Sequence, residues 1–340
     1  MFNPKYTITT KILANIKRIA ELATGLNGRH FSDVVLFEFE KRAREISAYS
    51  STSIEGNPLP LTDVKRLIKN SPEKIRDTEK DVLNYNNALV LINNHSEKIL
   101  NLNFILEIQK IVTSELINKF NSGRIRQESV FVNDPKTRKV IYLPPDYQDV
   151  PKMIDGLINY INDNKEKIDP LILAGIFHRQ FVIIHPFVDG NGRTSRLITK
   201  KILSNMGLDT FNLFSFENYY NNNVTKYFEN VGVFGNYYEI KDSVDFTSWL
   251  EYFTDGIIDE LLRVTKELNK VGSKESDRLE DHHKMIIEYI RENGIMKDSD
   301  YAKLTNRARA TRYIDFKKLI GFNLIERRGK GKNSYYVLKD

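Results

Sequence analysis

The sequence predicts a mainly α-helical protein that ends in a small unit of three helices and a two-stranded hairpin. Three observations carry that expectation. Apolar residues recur at helical spacing through most of the 340 positions, only one interval before residue 269 has the composition of a strand pair, and a polar stretch at 269–280 sets the last segment apart. At roughly 150 residues per domain, the length suits about two domains. With 41% hydrophobic and 28% charged residues, the composition is that of a folded globular chain rather than a disordered one.

Between Thr10 and Ala23, the residues Ile12, Leu13, Ile16, Ile19, Ala20 and Leu22 fall at helical spacing, with Thr9 or Thr10 as cap. A second helix is expected at about 33–53, burying Val35, Leu36, Phe39, Ala43, Ile46 and Ala48. Gly56-Asn57-Pro58 stops it, because glycine tolerates a left-handed terminus and proline cannot continue a helix. Further helices follow at about 61–69, 76–95, 103–118, 150–163, 168–184, 191–206, 217–231 and 245–268. Ser129 to Asn133 and Lys139 to Leu143 are short, β-branched and aromatic runs on either side of the turn-forming Asp134-Pro135-Lys136-Thr137-Arg138. They predict a hairpin closed by Pro144-Pro145, which must lie against the helices or serve as a flap, since an isolated hairpin is marginal. Beyond the linker, helices at about 281–293, 298–305 and 307–320 lead to strands at 324–327 and 334–338. Gly329-Lys330-Gly331-Lys332-Asn333 joins those strands, and the whole pattern resembles a winged helix-turn-helix domain.

The absence of cysteine excludes disulfides, thiolate metal sites, iron–sulfur clusters and a cysteine nucleophile. The opening Met1-Phe2-Asn3-Pro4-Lys5 has no apolar run of the secretory kind, and no stretch approaches the roughly 18 apolar residues of a membrane span. A soluble, cytoplasmic protein with no membrane partner is expected. The net charge of +6 is concentrated at the C-terminal end, where residues 301–340 hold eleven Lys/Arg against three Asp/Glu. Such a segment suits nucleic acid or a solvated face.

The residues that carry chemistry are His185-Pro186-Phe187-Val188-Asp189-Gly190-Asn191-Gly192-Arg193-Thr194-Ser195-Arg196. An apolar helix ends just before them and an amphipathic one begins near Asn191. Gly190 and Gly192 bracket Asn191, so backbone N–H groups there turn inward without Cβ interference. A helix N-terminus behind such a loop offers unpaired donors and the positive end of the dipole, which favours phosphate. Arg193 and Arg196, three apart, present two guanidinium forks to different phosphates of one chain. Asp189 with phosphate oxygens is a usual way to hold Mg²⁺. His185, with an ordinary pKa, suits a general base near neutrality, and Phe187 pins the turn into the core.

This segment matches all nine fixed positions of the His-Pro-Phe-x-Asp-Gly-Asn-Gly-Arg-x-x-Arg motif, and the chain resembles the Fic family over about residues 35–260. The resemblance implies a protein adenylyltransferase that moves AMP from ATP to a Ser, Thr or Tyr hydroxyl of a target protein. It assigns His185 as the base, Asp189 as the Mg²⁺ residue, and Gly190, Asn191, Gly192, Arg193, Thr194, Ser195, Arg196 and Tyr227 as nucleotide contacts. His178 and Phe181 match the helix before the motif, and Ser215 to Phe228 is similar to the adenine-side helix, with Phe228 where a second tyrosine is common. The hairpin at 129–143 matches the flap, with Val140, Ile141, Tyr142 and Leu143 as the strand on which a target docks edge-on.

Ser51-Thr52-Ser53-Ile54-Glu55-Gly56-Asn57 resembles the family's inhibitory motif, with Ser51, Glu55 and Gly56 at its fixed positions. By that resemblance Glu55 pairs with Arg196 and denies it to the γ-phosphate. The domain reading is therefore an N-terminal helical region at 1–100, a Fic core at 101–268, a linker at 269–280 and a winged helix at 281–340. Arg307, Arg309 and Arg312 start the third helix of that tail, where a recognition helix meets DNA, and Arg327, Arg328, Lys330 and Lys332 lie on the wing. Weak DNA binding and dimerisation into a homo-oligomer are both open for it. Also open are a DNA-binding regulator with a sensory nucleotide site, removal of AMP from a modified target, and transfer of phosphate or phosphocholine.

Overall fold

A computed structural model describes residues 2–28, 33–70, 72, 74–94, 99–134, 137, 139–204, 212, 214–269, 279–322, 324–331 and 334–339. They group into two compact units, one of residues 1–28 and 40–268, the other of 29–39 and 269–340. In chain order the first unit holds α1 (Thr10–Asn27), most of α2 (Asp33–Ile54), α3 (Leu61–Asn70), α4 (Asp77–Asn94), α5 (Leu102–Val112), β1 (Val132–Asn133) and β2 (Val140–Leu143). It continues with α6 (Val150–Asn164), α7 (Pro170–Ile184), α8 (Asn191–Ser204), α9 (Phe216–Asn222), α10 (Val224–Val231), β3 (Gly235–Asn236), α11 (Tyr237–Ile240) and α12 (Thr247–Leu268). The fold is mainly α-helical with a small sheet.

The centre is α7. Proline at its first position and the Asp169 side chain, which accepts from the Leu171 amide at 2.8 Å, start it. It is apolar on nearly all sides and buried along nearly its whole length, as a helix in the middle of a bundle must be. Gly175 lets α12 approach closely: a Cβ there would stand 2.6 Å from Leu250, and Trp249 Nε1 donates to the Gly175 carbonyl at 2.7 Å.

Local chemistry explains where the elements depart from the periodicity. The helix expected at 217–231 is two, because Asn223 leaves helical backbone and its side chain caps α10 by accepting from the Lys226 amide at 3.0 Å. The helix expected to reach residue 118 stops at Val112, where the Thr113 hydroxyl donates back to the Gln109 carbonyl. The flap hairpin is present with shorter strands, Val132 opposite Tyr142 and Asn133 opposite Val140 across a bulge. Residues 135, 136 and 138 of its turn lie outside the described residues. A third strand, β3, runs parallel to β2 and pairs Tyr142 with Gly235 and Leu143 with Asn236. Its Gly-Asn composition carries no strand signal.

In the second unit α13 (Asp281–Asn293), α14 (Asp298–Leu304) and α15 (Arg309–Gly321) precede β4 (Ile325–Arg328) and β5 (Tyr335–Leu338). The two strands pair antiparallel from Ile325 opposite Leu338 to Arg328 opposite Tyr335, and Met296 bridges to Tyr336. Its core gathers Ile286, Ile290, Tyr301, Phe316, Leu324 and Tyr336 around Phe37. Phe37, in the first turns of α2, groups with this unit, whereas the described residues up to 28 and from 40 onward group with those up to 268. Most of the expected linker, 270–278, and Lys332 and Asn333 of the expected wing lie outside the described residues. Among the described residues no helix is long and apolar enough to cross a membrane.

Candidate active site

α7 ends because His185 adopts left-handed backbone (φ 51°) and its amide bonds the Phe181 carbonyl at 3.0 Å. The chain then turns through Pro186 to Gly190 into α8. Asn191 staples this loop to itself: its side chain accepts from the Phe187 amide at 2.9 Å and donates to the Phe187 carbonyl at 2.8 Å. The Asn191 side chain therefore shapes the loop. Gly190, at φ 83°, presses against α5, where a Cβ would stand 2.9 Å from the Thr113 methyl. Buried Gln109 fixes the loop from that side, donating to the Asp189 carbonyl at 3.1 Å and accepting from the Gly123 amide. Phe187 is buried beside Phe181, as an apolar pin should be.

His185 lies half-buried with Nδ1 3.3 Å from the Val182 carbonyl. That partner accepts, so Nδ1 carries the proton and the Nε2 lone pair is left to act. Burial pushes the imidazole down to about 4, with the Arg126 charge adding to it against Glu55 and Asp189. The ordinary value expected from sequence is thus corrected. At neutral pH the ring is uncharged, as a proton acceptor must be.

Both motif arginines are already held by carboxylates of the chain. Arg196, fully buried, donates to Glu55 Oε1 at 2.7 Å, to the Ser51 hydroxyl at 2.8 Å and carbonyl at 2.9 Å, and to the Tyr227 hydroxyl at 3.4 Å. Burial alone would lower the guanidinium, yet the Glu55 carboxylate beside it holds it above the ordinary arginine value. Glu55 also lies against the first turn of α8, where a Cβ on Gly192 would collide with Oε1. Helix N-termini favour anions, and α8 has no acid of its own in that turn. Arg193 bonds Asp81 of α4 and, at 2.8 Å, Asp189 Oδ2. Asp81 in turn accepts from the side chain of Asn57 at 3.0 Å, two residues beyond Glu55.

Other assigned contacts are placed differently. The Ser195 hydroxyl donates to the His178 carbonyl at 3.1 Å, and Thr194 is fully buried with its amide on the Gly190 carbonyl. The Thr194 hydroxyl is buried without a hydrogen-bond partner among the described residues. Tyr227 is buried and stacked on Tyr220, with its hydroxyl 3.0 Å from His178 Nε2 and within reach of Arg196, so it backs the arginine. On the flap, Val140 and Leu143 are exposed and Ile141 is half-buried, but Tyr142 points inward and donates to the Ile183 carbonyl at 2.9 Å. β3 takes the second flank of β2 at Tyr142 and Leu143. Sequence reasoning missed Asp81, Gln109 and Arg126, which stand outside the motif in segments without any spacing signal.

Asp189 fits a Mg²⁺ site of the water-rich kind: it is half-exposed beside the α8 N-terminus, and only one carboxylate oxygen is engaged by Arg193. A second group of metal-ligating side chains, Glu280, His282 and His283, lies in the other unit. In that group the Glu280 amide occupies His283 Nδ1 at 3.1 Å and the Arg307 guanidinium stands 3.4 Å from His282 Nδ1. In the same unit Arg307 pairs with Asp315 and Arg312 makes two bonds to Asp298, so neither is a free recognition-helix cation.

The profile of the Fic/DOC family matches residues 99–203. The protein adenylyltransferase Fic of Nematostella vectensis is 30% identical over 166 residues, 47% of this chain and 37% of that protein. Its counterpart in Drosophila melanogaster is 27% identical over 219 residues, 58% and 43% of the two chains. The chain thus spans about two-fifths of the length of these relatives. A Fic family protein from Desulfovibrio desulfuricans G20 has the same fold across 99% of this chain and 98% of its own, with a TM-score of 0.67 at 20% identity. A solved fragment of Fic-1 from Caenorhabditis elegans superposes over 76% of this chain and 73% of its own, with a TM-score of 0.59 at 21% identity. Residues 99–203, with the loop that runs from His185 to Arg196, are a Fic/DOC-family domain of this chain.

Proposed function

We propose that the chain is an autoinhibited protein adenylyltransferase that transfers AMP from ATP to a hydroxyl side chain of a protein target. The observation that carries this reading is the Glu55–Arg196 pair at the α8 N-terminus, beside a histidine whose Nε2 is free to accept a proton. A carboxylate there holds the place that anion-binding chemistry reserves for a phosphate. In the transfer, the target oxygen attacks the α-phosphorus, the bond from that phosphorus to the bridging oxygen breaks, and pyrophosphate leaves. His185 Nε2 takes the hydroxyl proton. The triphosphate's charge would raise the pKa of His185 from about 4 toward the useful range. Asp189 is the residue that would hold Mg²⁺, which supplies neutralisation of phosphate charge. Arg193 and Arg196 would grip phosphates once Asp81 and Glu55 yield them.

ATP labelled at the α- or the γ-phosphate tests the reading and separates it from phosphate transfer. AMP transfer marks the acceptor from the α label alone. His185→Ala should reduce that transfer by about 10²–10⁴-fold with ATP affinity nearly unchanged. Wild-type transfer by this variant would overturn the assignment. For the second unit, the order of helix, bridge, two helices and hairpin supports a winged-helix reading. Its DNA contacts would fall to Arg309, Lys317 and Lys330, since Arg307 and Arg312 are engaged. A salt-sensitive gel shift with duplex DNA tests this.

A further inference from the structure

A helix C-terminus leaves orphan carbonyls, and those around the end of α7 are claimed in an unusual way. Val182 O faces the imidazole of His185, but Ile183 O accepts from the flap's Tyr142 at 2.9 Å and His185 O accepts from Arg126 Nε at 2.8 Å. The Arg126 amide also donates to Pro186 O at 2.9 Å. The rest of the guanidinium reaches the two ends of the flap hairpin: NH1 donates to Glu128 O at 2.9 Å, ahead of β1, and NH2 to Pro145 O, just after β2. One side chain, 3% exposed, thus joins both feet of the flap to the carbonyl of His185.

The composition of this contact matters as much as its reach. Among the described residues Arg126 makes no salt bridge, and every acceptor it uses is a main-chain carbonyl. Burying a guanidinium without an acid is costly, and burial accordingly lowers its pKa. For stability alone, an apolar side chain of similar volume would serve as well. A planar fork with fixed donors is the better choice when three pieces of backbone must be held in one geometry.

We propose that Arg126 is a positioning residue that locks the flap to the base-bearing loop, so that a target strand laid on the flap is registered against His185 Nε2. The proposal rests on the reading of His185 as base. Tyr142 serves the same lock from the flap strand itself. Arg126 is buried and spends its hydrogen bonds on main-chain carbonyls, so it acts through His185.

The test uses the full chain in a Glu55→Gly background, with the protein's own hydroxyls as acceptor and α-labelled ATP. Arg126→Lys keeps the charge and loses the fork. It should slow autolabelling by about 10²-fold, the scale of a ~1 Å misplacement, with the KM for ATP within about twofold of the parent. Tyr142→Phe, which removes one hydroxyl and should fold normally, should slow it in the same direction by about threefold to tenfold, on the order of one lost hydrogen bond. Hydrogen exchange supplies a readout independent of activity. In Arg126→Lys, amides of 140–143 and of 185–189 should exchange faster together, while those of 47–54 in α2 stay unchanged. Autolabelling at the parent rate, or a flap that loosens while 185–189 does not, would overturn the lock. If the Glu55→Gly parent transfers no AMP at all, the adenylyltransferase reading has failed, and joint or separate loosening in the exchange experiment still decides for or against the role of Arg126.

Discussion

Arg196 of the first unit and Arg307 of the tail unit make similar contacts, each reaching a carboxylate at 2.7–2.9 Å. Their burial is opposite. At the candidate site the arginine is the hidden member, 0% exposed, and the Glu55 side chain is 34% exposed. In the tail the acid is hidden, Asp315 at 3%, and the Arg307 side chain is 34% exposed. A buried cation with a partly exposed anion can exchange that anion for another that enters from solvent. A buried anion cannot release its cation to a ligand without being left unpaired in a low-dielectric interior. The first arrangement suits a site that receives phosphate, and the other is a structural pair, whatever the basic surplus of the tail suggests.

The largest effect is expected at Asp315. It collects the Tyr301 hydroxyl at 2.8 Å and Arg307, with His282 Nε2 at 3.2 Å. Asp315→Ala should destabilise the second unit by about 3–5 kcal/mol, because it takes an acceptor at once from buried Tyr301, from His282 and from Arg307. Thermal unfolding checks this, and neither ATP nor phosphate should restore the loss. Glu55→Gly should destabilise the first unit less, by about 1.5–3 kcal/mol for a charged hydrogen bond, because Ser51 still accepts from Arg196. Here ATP should recover most of the melting temperature, since a phosphate takes the vacated position. Equal responses to ATP in the two variants would contradict the distinction between the pairs.

A smaller effect is expected at Asp81, whose pair with Arg193 is only slightly more exposed on the acid side. Asp81→Asn should raise ATP affinity by about threefold to tenfold, roughly 1 kcal/mol, as read by calorimetry. A response to pH is also expected. His185 is neutral in the native state down to about 4, whereas the unfolded chain protonates near 6.5. The native state therefore binds fewer protons between those values, and stability is full above 6.5 and declines as pH falls toward 4. The free-enzyme rate, kcat/KM, should for the same reason show no acid inflection between pH 8 and pH 5.5. An inflection near 6.5 would show that the histidine is solvated in the working enzyme.

The helices were legible because one apolar face per turn is a strong signal, and the chemistry because His185 to Arg196 concentrates it in twelve consecutive residues. Ser51 and Glu55 were legible only through resemblance, since a glutamate at a helix end carries no spacing signal of its own. The partners of the motif were not legible: Asp81, Gln109 and Arg126 approach from α4, α5 and the segment before the flap, and only the fold brings them there. Strand β3 is two residues long and owes its existence to β2 rather than to propensity. Arg307 and Arg312 of the tail show the same limit: charge is visible in a sequence, whereas Asp315 and Asp298 become their partners only when α14 and α15 pack.

If Glu55 holds Arg196 away from phosphate, the rate of self-adenylylation must report it. Purified parent and Glu55→Gly protein, given α-labelled ATP and Mg²⁺, should differ by about 10²-fold in labelling rate, the scale of correcting a ~1 Å misalignment of the α-phosphate. ATP affinity should change far less than the rate does. Arg196→Ala added to Glu55→Gly should abolish the gain, because the freed partner is gone. If Glu55→Gly labels itself no faster than the parent, the Glu55–Arg196 pair is a structural contact and the inhibitory account is wrong.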